Sequence, residues 1–506
     1  MRLRIFILSI LLSLTQLAYL QNKSFYMRIV DESFVPIETR QVRGLEKVEV
    51  RTKSEKFNAV LSKYNIKRFS QAFPTAKSEW LRQVFIVESE AALLEYLERN
   101  EFAKEIMNIE PLGEPELLYT PNDYSLALSQ TNLDLVKAKG AWDIIGNLPR
   151  IPIGVIDTYF KTDHEDLENQ FIAISGSNTN IANYHGSAVA GLLGAITNNG
   201  KGIASISLGT KMYASTNTDL NLINSEVLRI AQLGYRVINC SWTLGCGYSH
   251  IDDSLYSEIK NTWNTVVVFG AGNNGGYRYC HGTSDKVYPA SYPSVLSVTS
   301  VGHMHPAGYI SPVHGPVGWI DCHEEVVGNL WSAHHHNDAV DICAPGYDVP
   351  IIRIDLSEQY GYDSGTSYAT PQVAATACLV LSINPCLSAA QAIDIIKNTA
   401  DASIYSLPCN APFLGLLGSG RLDVEAASLM AAESATKTFS LPTTFSGNQV
   451  VETNYAIKTT APTKIVSGAN VLFKTRKEVV IDSEFEVELG ATFEINVNPN
   501  NTINCN

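Results

Sequence analysis

The chain has 506 residues and a formal net charge of −14 at pH 7. This length exceeds that of one ordinary domain and indicates two to four folded units. With 45% apolar residues, 34 Gly and 21 Pro, the composition is typical of a globular α/β protein with many loops, not of a disordered or membrane protein. The negative charge argues against nucleic acid as a partner, because nucleic-acid-binding surfaces are basic.

The first 20 residues have the pattern of a secretory signal peptide. Arg2 and Arg4 are followed by an apolar stretch over residues 5–14, which is too short for a membrane-spanning helix. No later stretch is long and apolar enough to span a bilayer. We therefore expect an exported protein, secreted or at the cell surface, with no transmembrane segment in the mature chain.

Residues 21–116 form a segment of nearly balanced charge, unlike the acidic remainder of the chain. Apolar patterns predict strands over residues 82–87 and 106–109, and between them a helix over residues 89–99 with Ser89 as its N-cap. This β-α-β unit predicts a small α+β domain that ends between residues 112 and 120.

The next segments carry an aspartate and a histidine in suitable contexts. Residues 151–156 are apolar and predict a buried parallel strand. Asp157 follows its carboxyl end, where catalytic groups of open α/β sheets collect. His185 begins a run of small and apolar residues, 186–195, that predicts a tightly packed helix. Taken singly, Asp157 could end a strand and His185 could be structural.

Ser367 completes this set. The apolar residues 369–381 predict a buried helix with Ser367 near its amino end, and Pro371 suits a first turn. The helix dipole there favours developing negative charge. A serine hydroxyl becomes a nucleophile when an imidazole accepts its proton and a buried carboxylate orients that imidazole. The alternative is that Ser367 is an ordinary N-cap.

A fourth segment offers a side-chain amide. The predicted strand at residues 266–269 runs into a Gly-Ala-Gly turn followed by Asn273 and Asn274. A fixed amide directed at the oxyanion of a tetrahedral intermediate stabilises the transition state by about 3–4 kcal/mol. Asn-Gly is also a strong turn signal, so Asn274 competes as a turn residue.

The chain order Asp, His, Ser and the sequences around these residues resemble the subtilisin-like (subtilase) serine peptidases over roughly residues 121–432. The resemblance implies a parallel sheet flanked by helices, with Asp157, His185 and Ser367 as the catalytic triad. It implies that Asn273 binds the oxyanion. No cofactor is needed for this chemistry and no metal ligand is assigned, although structural Ca²⁺ is common in the family.

The resemblance also indicates the substrate-binding edges of the cleft. The residues expected there are Ser241, Trp242, Thr243, Gly270, Ala271 and Gly272. Three positions depart from the family pattern: Tyr159 and Thr243 replace glycine, and Ala188 replaces a second histidine. None of them is a catalytic group, so they leave specificity open. Trp242 and Phe269 indicate apolar surroundings, which favour a broad or apolar preference next to the cleaved bond.

The resemblance divides the chain into four parts. We expect a signal peptide at residues 1–20, a propeptide at 21–116, a catalytic domain at 117–435 and a carboxyl-terminal β module at 440–506. A propeptide of this kind assists folding and inhibits the enzyme until it is cleaved off. The alternative is a permanent amino-terminal domain. Protein or peptide substrates, and the propeptide as an intramolecular inhibitor, are the expected partners.

Nine cysteines in an exported chain predict disulfides with one thiol left over. Cys386 with Cys409 and Cys240 with Cys246 are plausible local pairs, whereas Cys378 suits a buried thiol in an apolar helix. None of the nine lies in a Cys–His nucleophile motif, which argues against a cysteine peptidase.

The run His334, His335 and His336 raises a zinc hypothesis. Adjacent residues of a strand point to opposite faces, and no Cys or His partners lie at zinc-ligand spacing. Loop histidines are therefore the favoured interpretation.

After residue 432 the pattern changes to short strands separated by Gly, Ser and Asp. The predicted strands are residues 464–466, 470–473, 479–481, 485–489 and 492–497. They predict a small, non-catalytic all-β module, similar to those that follow catalytic domains in secreted bacterial proteins. The sequence does not choose among sorting, anchoring and carbohydrate binding.

The sequence thus predicts a secreted subtilisin-like serine endopeptidase that is made as a zymogen. Two other functions compete with it. A pseudo-enzyme would use the fold to bind proteins, but the complete Asp, His, Ser and Asn set argues against that. A peptide ligase would transfer the acyl group to an amine instead of water, and the sequence leaves this possibility open.

Overall fold

The computed structural model describes residues 22–41, 47–73, 76–99, 102, 104–111, 119–220, 222–273, 279–303, 310–311, 315–316, 320–323, 334–503 and 505. The predicted signal peptide and residues 112–118 of the predicted domain boundary lie outside the described residues. The chain divides into two compact units, one ending at residue 117 and the other beginning at residue 118.

The first unit is an α+β fold. Its elements are β1 (Asn22–Ile29), β2 (Glu38–Gln41), β3 (Val48–Arg51), α1 (Glu55–Leu61), β4 (Ile66–Gln71), α2 (Glu79–Arg82), β5 (Val84–Glu90), α3 (Ala91–Glu98) and β6 (Ile106–Pro111). Strands in the order β4-β5-β1-β6 form an antiparallel sheet. Phe25 and Met27 of β1 pack with Phe57 of α1 and Leu93 of α3 in its core.

One local prediction in this unit is wrong. Ser89 is not the N-cap of the helix but a buried residue of strand β5, paired with Ile66 of β4. Glu90 is the cap residue, and α3 begins at Ala91. The pairing of β5 with both neighbours extends the strand beyond the point where its apolar pattern ends, which delays the helix by two residues.

The second unit begins with an α/β domain. Its elements are α4 (Thr131–Leu135), α5 (Ala138–Ile145), β7 (Ile153–Ile156), β8 (Phe171–Ser175), α6 (His185–Gly194), β9 (Met212–Ser215), α7 (Ile223–Gln232), β10 (Val237–Cys240), α8 (His250–Asn261), β11 (Val266–Gly270), β12 (Leu296–Val301), β13 (Ile310–Ser311), β14 (Gly315–Pro316), β15 (Ile342–Pro345), β16 (Val349–Ile352), β17 (Tyr360–Asp363), α9 (Thr366–Ile383), α10 (Ala389–Asn398) and α11 (Val424–Ser434). In the described part of the chain, seven parallel strands form one sheet in the order β15-β12-β11-β10-β7-β9-β8. The predicted parallel sheet is confirmed.

Helices cover both faces of this sheet. Alternate side chains of a strand point to opposite faces, so Val155 and Val268 pack with α5, α6 and α9, whereas Ile156 and Val267 pack with α7 and α8. Strands β7, β10, β11, β12 and β15 are buried at every residue. Burial on both faces explains why their sequences are continuous apolar runs rather than alternating ones.

The second unit ends in a parallel β-solenoid. Its strands are β18 (Lys437–Phe439), β19 (Thr443–Phe445), β20 (Asn448–Thr453), β21 (Ala456–Thr459), β22 (Thr463–Ile465), β23 (Asn470–Thr475), β24 (Glu478–Ile481), β25 (Phe485–Val487) and β26 (Thr492–Val497). Each pairs in parallel with the strand three further along, giving the sheets β18-β21-β24, β19-β22-β25 and β20-β23-β26. The predicted all-β module is confirmed. The module was expected to begin at residue 440, but its first strand begins at Lys437. The sequence did not mark this start because the first coil has no clean alternation of apolar and polar residues.

Polar and aromatic ladders hold the three coils in register. Asn470 Nδ2 donates to Asn448 Oδ1 at 2.7 Å, and the Thr492 hydroxyl donates to Asn470 Oδ1, each step being 22 residues. Inside the coils, Phe473 is fully buried. Its ring contacts those of Phe439, Phe445, Phe485 and Phe493. One phenylalanine of the middle coil thus joins all three coils.

Disulfides are present, as predicted, but the two predicted pairs are wrong. The described residues form the pairs Cys246–Cys280, Cys322–Cys409 and Cys386–Cys505. Cys240, Cys343 and Cys378 remain as buried thiols, three instead of the expected one. Cys240 cannot reach Cys246 because it ends the central strand β10 inside the core. The expected burial of Cys378 is confirmed.

Replacing Phe473 with alanine should destabilise the solenoid by about 3–5 kcal/mol, the usual cost of removing a buried phenylalanine ring. Val450, which lies on the neighbouring strand β20 and is 61% exposed, is the matched control, and V450A should cost less than about 0.5 kcal/mol. Differential scanning calorimetry of the full chain measures both. Equal effects of the two substitutions would contradict the aromatic core.

Candidate active site

Asp157 and His185 form a hydrogen-bonded pair at the carboxyl end of β7. The carboxylate is only 3% exposed, and its Oδ1 lies 2.8 Å from His185 Nδ1. The backbone N–H of Thr158 donates to the same oxygen at 2.7 Å. Asp157 Oδ2 is buried and has no hydrogen-bond partner among the described residues. When Nδ1–H donates to this carboxylate, the other ring nitrogen, Nε2, is the one that can accept a proton.

A close approach of helix α6 to the end of β7 makes this pair possible. A Cβ atom on Gly186 would lie 2.5 Å from the carbonyl oxygen of Tyr159 and 3.2 Å from Asp157 Cβ. Any side chain at position 186 would therefore push the helix away from the strand. The Ser187 hydroxyl, one residue on, donates to the Tyr159 carbonyl at 3.3 Å and closes the contact.

Electrostatics at His185 favour its protonated form. Burial on its own lowers the pKa of His185, but the charge and hydrogen bond of Asp157, with a smaller contribution from Asp363, raise the pKa above the ordinary value of 6.5. The pair therefore contributes stability that is complete below the ordinary pKa. This contribution is lost as the pH rises through the raised value. The neutral, proton-accepting ring is present only above that raised pKa.

Ser367 is the second residue of α9 and is joined to the end of β10. Pro371, four residues further on, has no N–H to donate to the Ser367 carbonyl. The Ser241 hydroxyl donates to that carbonyl instead, at 3.0 Å, and the Ser367 hydroxyl donates to the Ser241 carbonyl at 3.3 Å. The expectation that Pro371 lies in the first turn is wrong, since it is the sixth helical residue. Ser241 replaces the missing helical donor.

Asn273 lies beside the start of the same helix. Its Oδ1 accepts hydrogen bonds from the Thr366 N–H at 2.9 Å and the Thr366 hydroxyl at 3.1 Å. Its Nδ2 lies 3.4 Å from the position that a Cβ of Gly365 would occupy. Thr366 thus orients the amide so that the nitrogen end faces the backbone just before Ser367. Asn274 lies outside the described residues.

The structure places the predicted substrate-binding residues around the ends of β10 and β11. Ser241 is the residue bonded to Ser367, and the Trp242 ring packs edge-to-face on Phe269 with centroids 5.0 Å apart. The Thr243 hydroxyl donates to the carbonyl of Tyr288 at 3.0 Å. Gly270 is the last residue of β11, and Ala271 and Gly272 follow it. The Ala271 N–H donates to the backbone of β12 at 2.8 Å. The Gly272 N–H donates to the Thr366 hydroxyl at 3.2 Å.

A cavity of about 400 Å³ lies between the Asp157–His185 pair and the end of β10. Its lining residues are Asp157, Thr158, Asn183, Tyr184, His185, Thr218, Ser241 and Trp242. Sequence reasoning missed Asn183, Tyr184 and Thr218. Tyr184 adjoins His185 in the chain, but nothing in its local pattern distinguishes a cavity-lining tyrosine from a surface one. Thr218 comes from the loop after β9, and only the strand order brings it here.

The buried thiols are not nucleophiles. Burial raises the pKa of Cys378 to about 11, and it raises the pKa of Cys240 and Cys343 well above the ordinary value. The thiolate is the reactive form of cysteine. All three residues are therefore protonated thiols at neutral pH and pack as small apolar side chains.

The three consecutive histidines lie in a loop, as predicted, but they are buried. They pack with His323, whose Nε2 lies 3.1 Å from His336 Nδ1. Burial, with the neighbouring His336, lowers the pKa of His323 to about 3, so this ring is neutral. In the described ranges, no group of three or more His, Cys, Asp or Glu side chains is placed to hold a metal ion.

Changing Asp157 to asparagine should lower the pKa of His185, because the charge that favours the imidazolium disappears. NMR titration of protein labelled with ¹³C at histidine Cε1 measures this, with His185→Asn identifying the signal. Asp163, an exposed acid paired with Lys161, provides the control, and D163N should leave the pKa of His185 unchanged. An unchanged titration in D157N would contradict the electrostatic coupling.

Comparison with known proteins agrees with this geometry. The model of the subtilase family matches residues 150–437. The thermophilic serine proteinase of Bacillus sp. (strain AK1) is 31% identical over 296 residues, which cover 54% of this chain and 65% of that protein. Halolysin of Haloferax mediterranei is 30% identical over 326 residues, covering 61% of this chain and 54% of that protein.

A third relative is matched over nearly its whole length. Thermitase of Thermoactinomyces vulgaris is 28% identical over 296 residues, covering 56% of this chain and 92% of thermitase. The chain therefore spans less than two thirds of the length of the first two relatives and almost all of the third. No described helix combines the length and apolar character needed to cross a membrane. Because the family model matches more than half of the chain, the protein belongs to the subtilase family.

Proposed function

We propose that this subtilase is a secreted serine endopeptidase that hydrolyses protein substrates through an acyl-enzyme and is made as a zymogen. The observation that carries the proposal is the buried Asp157–His185 hydrogen bond in the wall of a cavity. Ser241 lines the same cavity and is hydrogen-bonded to Ser367. The names of two relatives, a serine proteinase and thermitase, are consistent with peptide-bond hydrolysis.

In this mechanism Ser367 Oγ attacks the carbonyl carbon of the scissile bond while His185 Nε2 takes the hydroxyl proton. Asp157 stabilises the resulting imidazolium. The amide of Asn273 and backbone N–H groups near Ser367 bind the tetrahedral oxyanion. The imidazolium then protonates the leaving amine, which leaves an acyl ester on Ser367. Water, deprotonated by His185, attacks this ester, and the imidazolium returns the proton to Ser367 Oγ as the ester bond breaks and the new carboxyl group is released.

Substrate recognition follows from the two strand ends. Residues 241–243 and 270–272 would pair with the backbone of an extended substrate, which gives affinity without reading sequence. Trp242 lines the cavity and packs on the fully buried ring of Phe269, which makes this part of the cleft apolar. We therefore expect a broad or apolar preference next to the cleaved bond.

The three disulfides are consistent with export of the protein from the cytosol. Such bonds form and persist in oxidising compartments outside the cytosol. The basic and apolar pattern of residues 1–20 supplies the predicted secretory signal. Secretion or display at the cell surface is the location that fits both features.

Structural Ca²⁺ is common in the family, but the buried carboxylates of Asp123 and Asp166 do not fit it. Asn199 bridges them: its N–H donates to Asp123 Oδ2 at 3.1 Å and its Nδ2 to Asp166 Oδ1 at 3.0 Å. Asp123 Oδ1 is buried without a hydrogen-bond partner among the described residues. Burial, with the charge of Asp123, raises the pKa of Asp166 to about 6. Asp166 Oδ2 also accepts from the Ile203 N–H at 2.9 Å and the Tyr360 hydroxyl at 3.1 Å. Of these four carboxylate oxygens one, Asp123 Oδ1, is left for a cation, whereas Ca²⁺ takes about six to eight oxygen ligands.

Changing Ser367 to alanine should abolish labelling by an irreversible serine-hydrolase probe and cleavage of casein, because the nucleophile is lost. Ser364, three residues away and bonded through its hydroxyl to Asp348 N–H at 2.9 Å, is the control, and S364A should retain both activities. Circular dichroism verifies folding. Labelling that survives S367A would exclude Ser367 as the nucleophile.

The same assay separates the competing functions. A pseudo-enzyme would neither label nor cleave in its wild-type form. A ligase would transfer the acyl group to an added amine, which mass spectrometry of the products detects as an amide. Free carboxylate products in the presence of amine support the peptidase.

The first unit is expected to act as a propeptide that the enzyme removes from itself. Wild-type protein should therefore acquire a new amino terminus between Leu112 and Asp123, whereas S367A produced without other peptidases should keep the first unit. Pro115 favours extended backbone before it, as a cleavage site requires; this segment lies largely outside the described residues. Amino-terminal sequencing of both forms measures the result. An S367A form trimmed at the same position would show that another peptidase cleaves it.

A further inference from the structure

Asp363 is a carboxylate that no step of the proposed mechanism uses, although it lies between two catalytic elements. It is the last residue of β17. Its Oδ2 accepts hydrogen bonds from the Tyr184 hydroxyl at 2.7 Å and the Tyr368 hydroxyl at 2.8 Å. Its Oδ1 accepts from the Ser364 N–H at 2.8 Å. Both oxygens are therefore engaged, one of them by two phenols at once.

Each of these tyrosines adjoins a residue of the proposed triad. Tyr184 directly precedes His185, the first residue of α6, and Tyr368 directly follows Ser367 in α9. The Tyr368 ring also contacts the His185 ring, with centroids 5.8 Å apart. One carboxylate oxygen thus links the amino ends of the two helices that carry the proposed base and nucleophile.

The packing makes this link stiff. Tyr368 is 3% exposed and lies in an apolar cluster with Ala188 and Leu192 of α6 and with Val349 and Ile351 of β16. A phenol hydroxyl in such a cluster needs a hydrogen-bond partner. Asp363 supplies that partner, and hydrogen bonds to an ionised acceptor are stronger than neutral ones.

Other charged groups surround the link. The Arg353 guanidinium lies 4.3 Å over the Tyr184 ring and pairs with Asp355 at 2.9 Å. On the other side His185 is paired with Asp157. Asp355 binds Arg353, and the charge of Asp363 acts both on this guanidinium and on the nearby imidazole of His185.

We propose that Asp363 is a positioning residue that holds the His185 end of α6 against the Ser367 end of α9, and that its negative charge favours the imidazolium. The inference rests on the proposed peptidase function. It assigns two separable effects to one side chain. Its hydrogen bonds set the geometry of the base and nucleophile, and its charge adds to that of Asp157 in raising the pH at which His185 becomes neutral.

The two effects predict different behaviour for different variants. D363A removes the hydrogen bonds and the charge, so kcat should fall by about 10- to 100-fold with little change in KM, as expected for misplaced catalytic groups. The acid limb of kcat/KM should also move to lower pH, because the charge of Asp363 contributes to the raised pKa of His185. D363N removes the charge but keeps an acceptor oxygen. It should move the limb in the same direction with a smaller loss of kcat.

The double variant Y184F/Y368F tests the hydrogen bonds of Asp363 separately from its charge. It removes both hydroxyls but leaves the carboxylate, so kcat should fall while the acid limb does not move to lower pH. D163N is the control, since Asp163 is an exposed acid paired with Lys161 and contacts neither tyrosine hydroxyl in the described structure; it should keep both wild-type values. Peptide hydrolysis measured across the acid limb gives kcat and KM for all variants, and circular dichroism confirms that each is folded.

Three outcomes would contradict the inference, and the third of them would contradict the proposed function as well. A folded D363A with wild-type kcat and an unmoved acid limb would overturn the inference while leaving the peptidase intact. A loss of kcat in D363A and D363N without any shift of the limb would also overturn it, because that pattern reports general loosening of the fold. A wild-type protein that neither cleaves peptides nor reacts with the serine probe would overturn the proposed function first, and this inference with it.

Discussion

The contact between the start of helix α6 and the end of strand β7 is the constraint on which the site depends. His185 reaches Asp157 only because Gly186 has no side chain, since a Cβ there would lie 2.5 Å from the Tyr159 carbonyl oxygen. The hydrogen bond that results is buried on the aspartate side and partly exposed on the histidine side, where the ring is 29% exposed. A buried acceptor and an accessible ring are what a proton-transfer pair needs.

A second close approach organises the remaining groups. Gly270 lets the start of α9 lie against β11, because a Cβ there would be 3.0 Å from the hydroxyls of Thr366 and Thr370. Thr366 then holds the amide of Asn273, and the next residue in the chain is Ser367. The Asn273 amide and the Ser367 hydroxyl are therefore positioned by the same helical turn. A displacement of this turn would therefore move the Asn273 amide and the Ser367 hydroxyl together.

The solenoid is part of the same unit rather than a loosely tethered tail. Arg476 donates to the Ser382 carbonyl at the end of α9 at 2.9 Å, and Tyr455 donates to the Ile144 carbonyl at 3.0 Å. The disulfide Cys386–Cys505 closes the end of the solenoid onto the α/β domain. A disulfide across so long a loop stabilises chiefly by restricting the unfolded chain. The β module is thus held at a defined place relative to the helices of the α/β domain.

Local patterns in the sequence determined the strands before Asp157 and Asn273 and the helices that begin near His185 and Ser367, because burial of these elements requires continuous apolar runs. The carboxyl-terminal β strands were determined in the same way, by the alternation of apolar and polar residues. Only the tertiary structure decided which cysteines pair, that the β strands stack in parallel coils, and that Asp363 bonds two tyrosines beside the site. Each of these contacts joins residues that are distant in the chain or depends on the relative placement of whole elements. A single sequence records the pattern of each element, but it does not record the distance between two side chains on different elements, and that distance decides whether a bond forms.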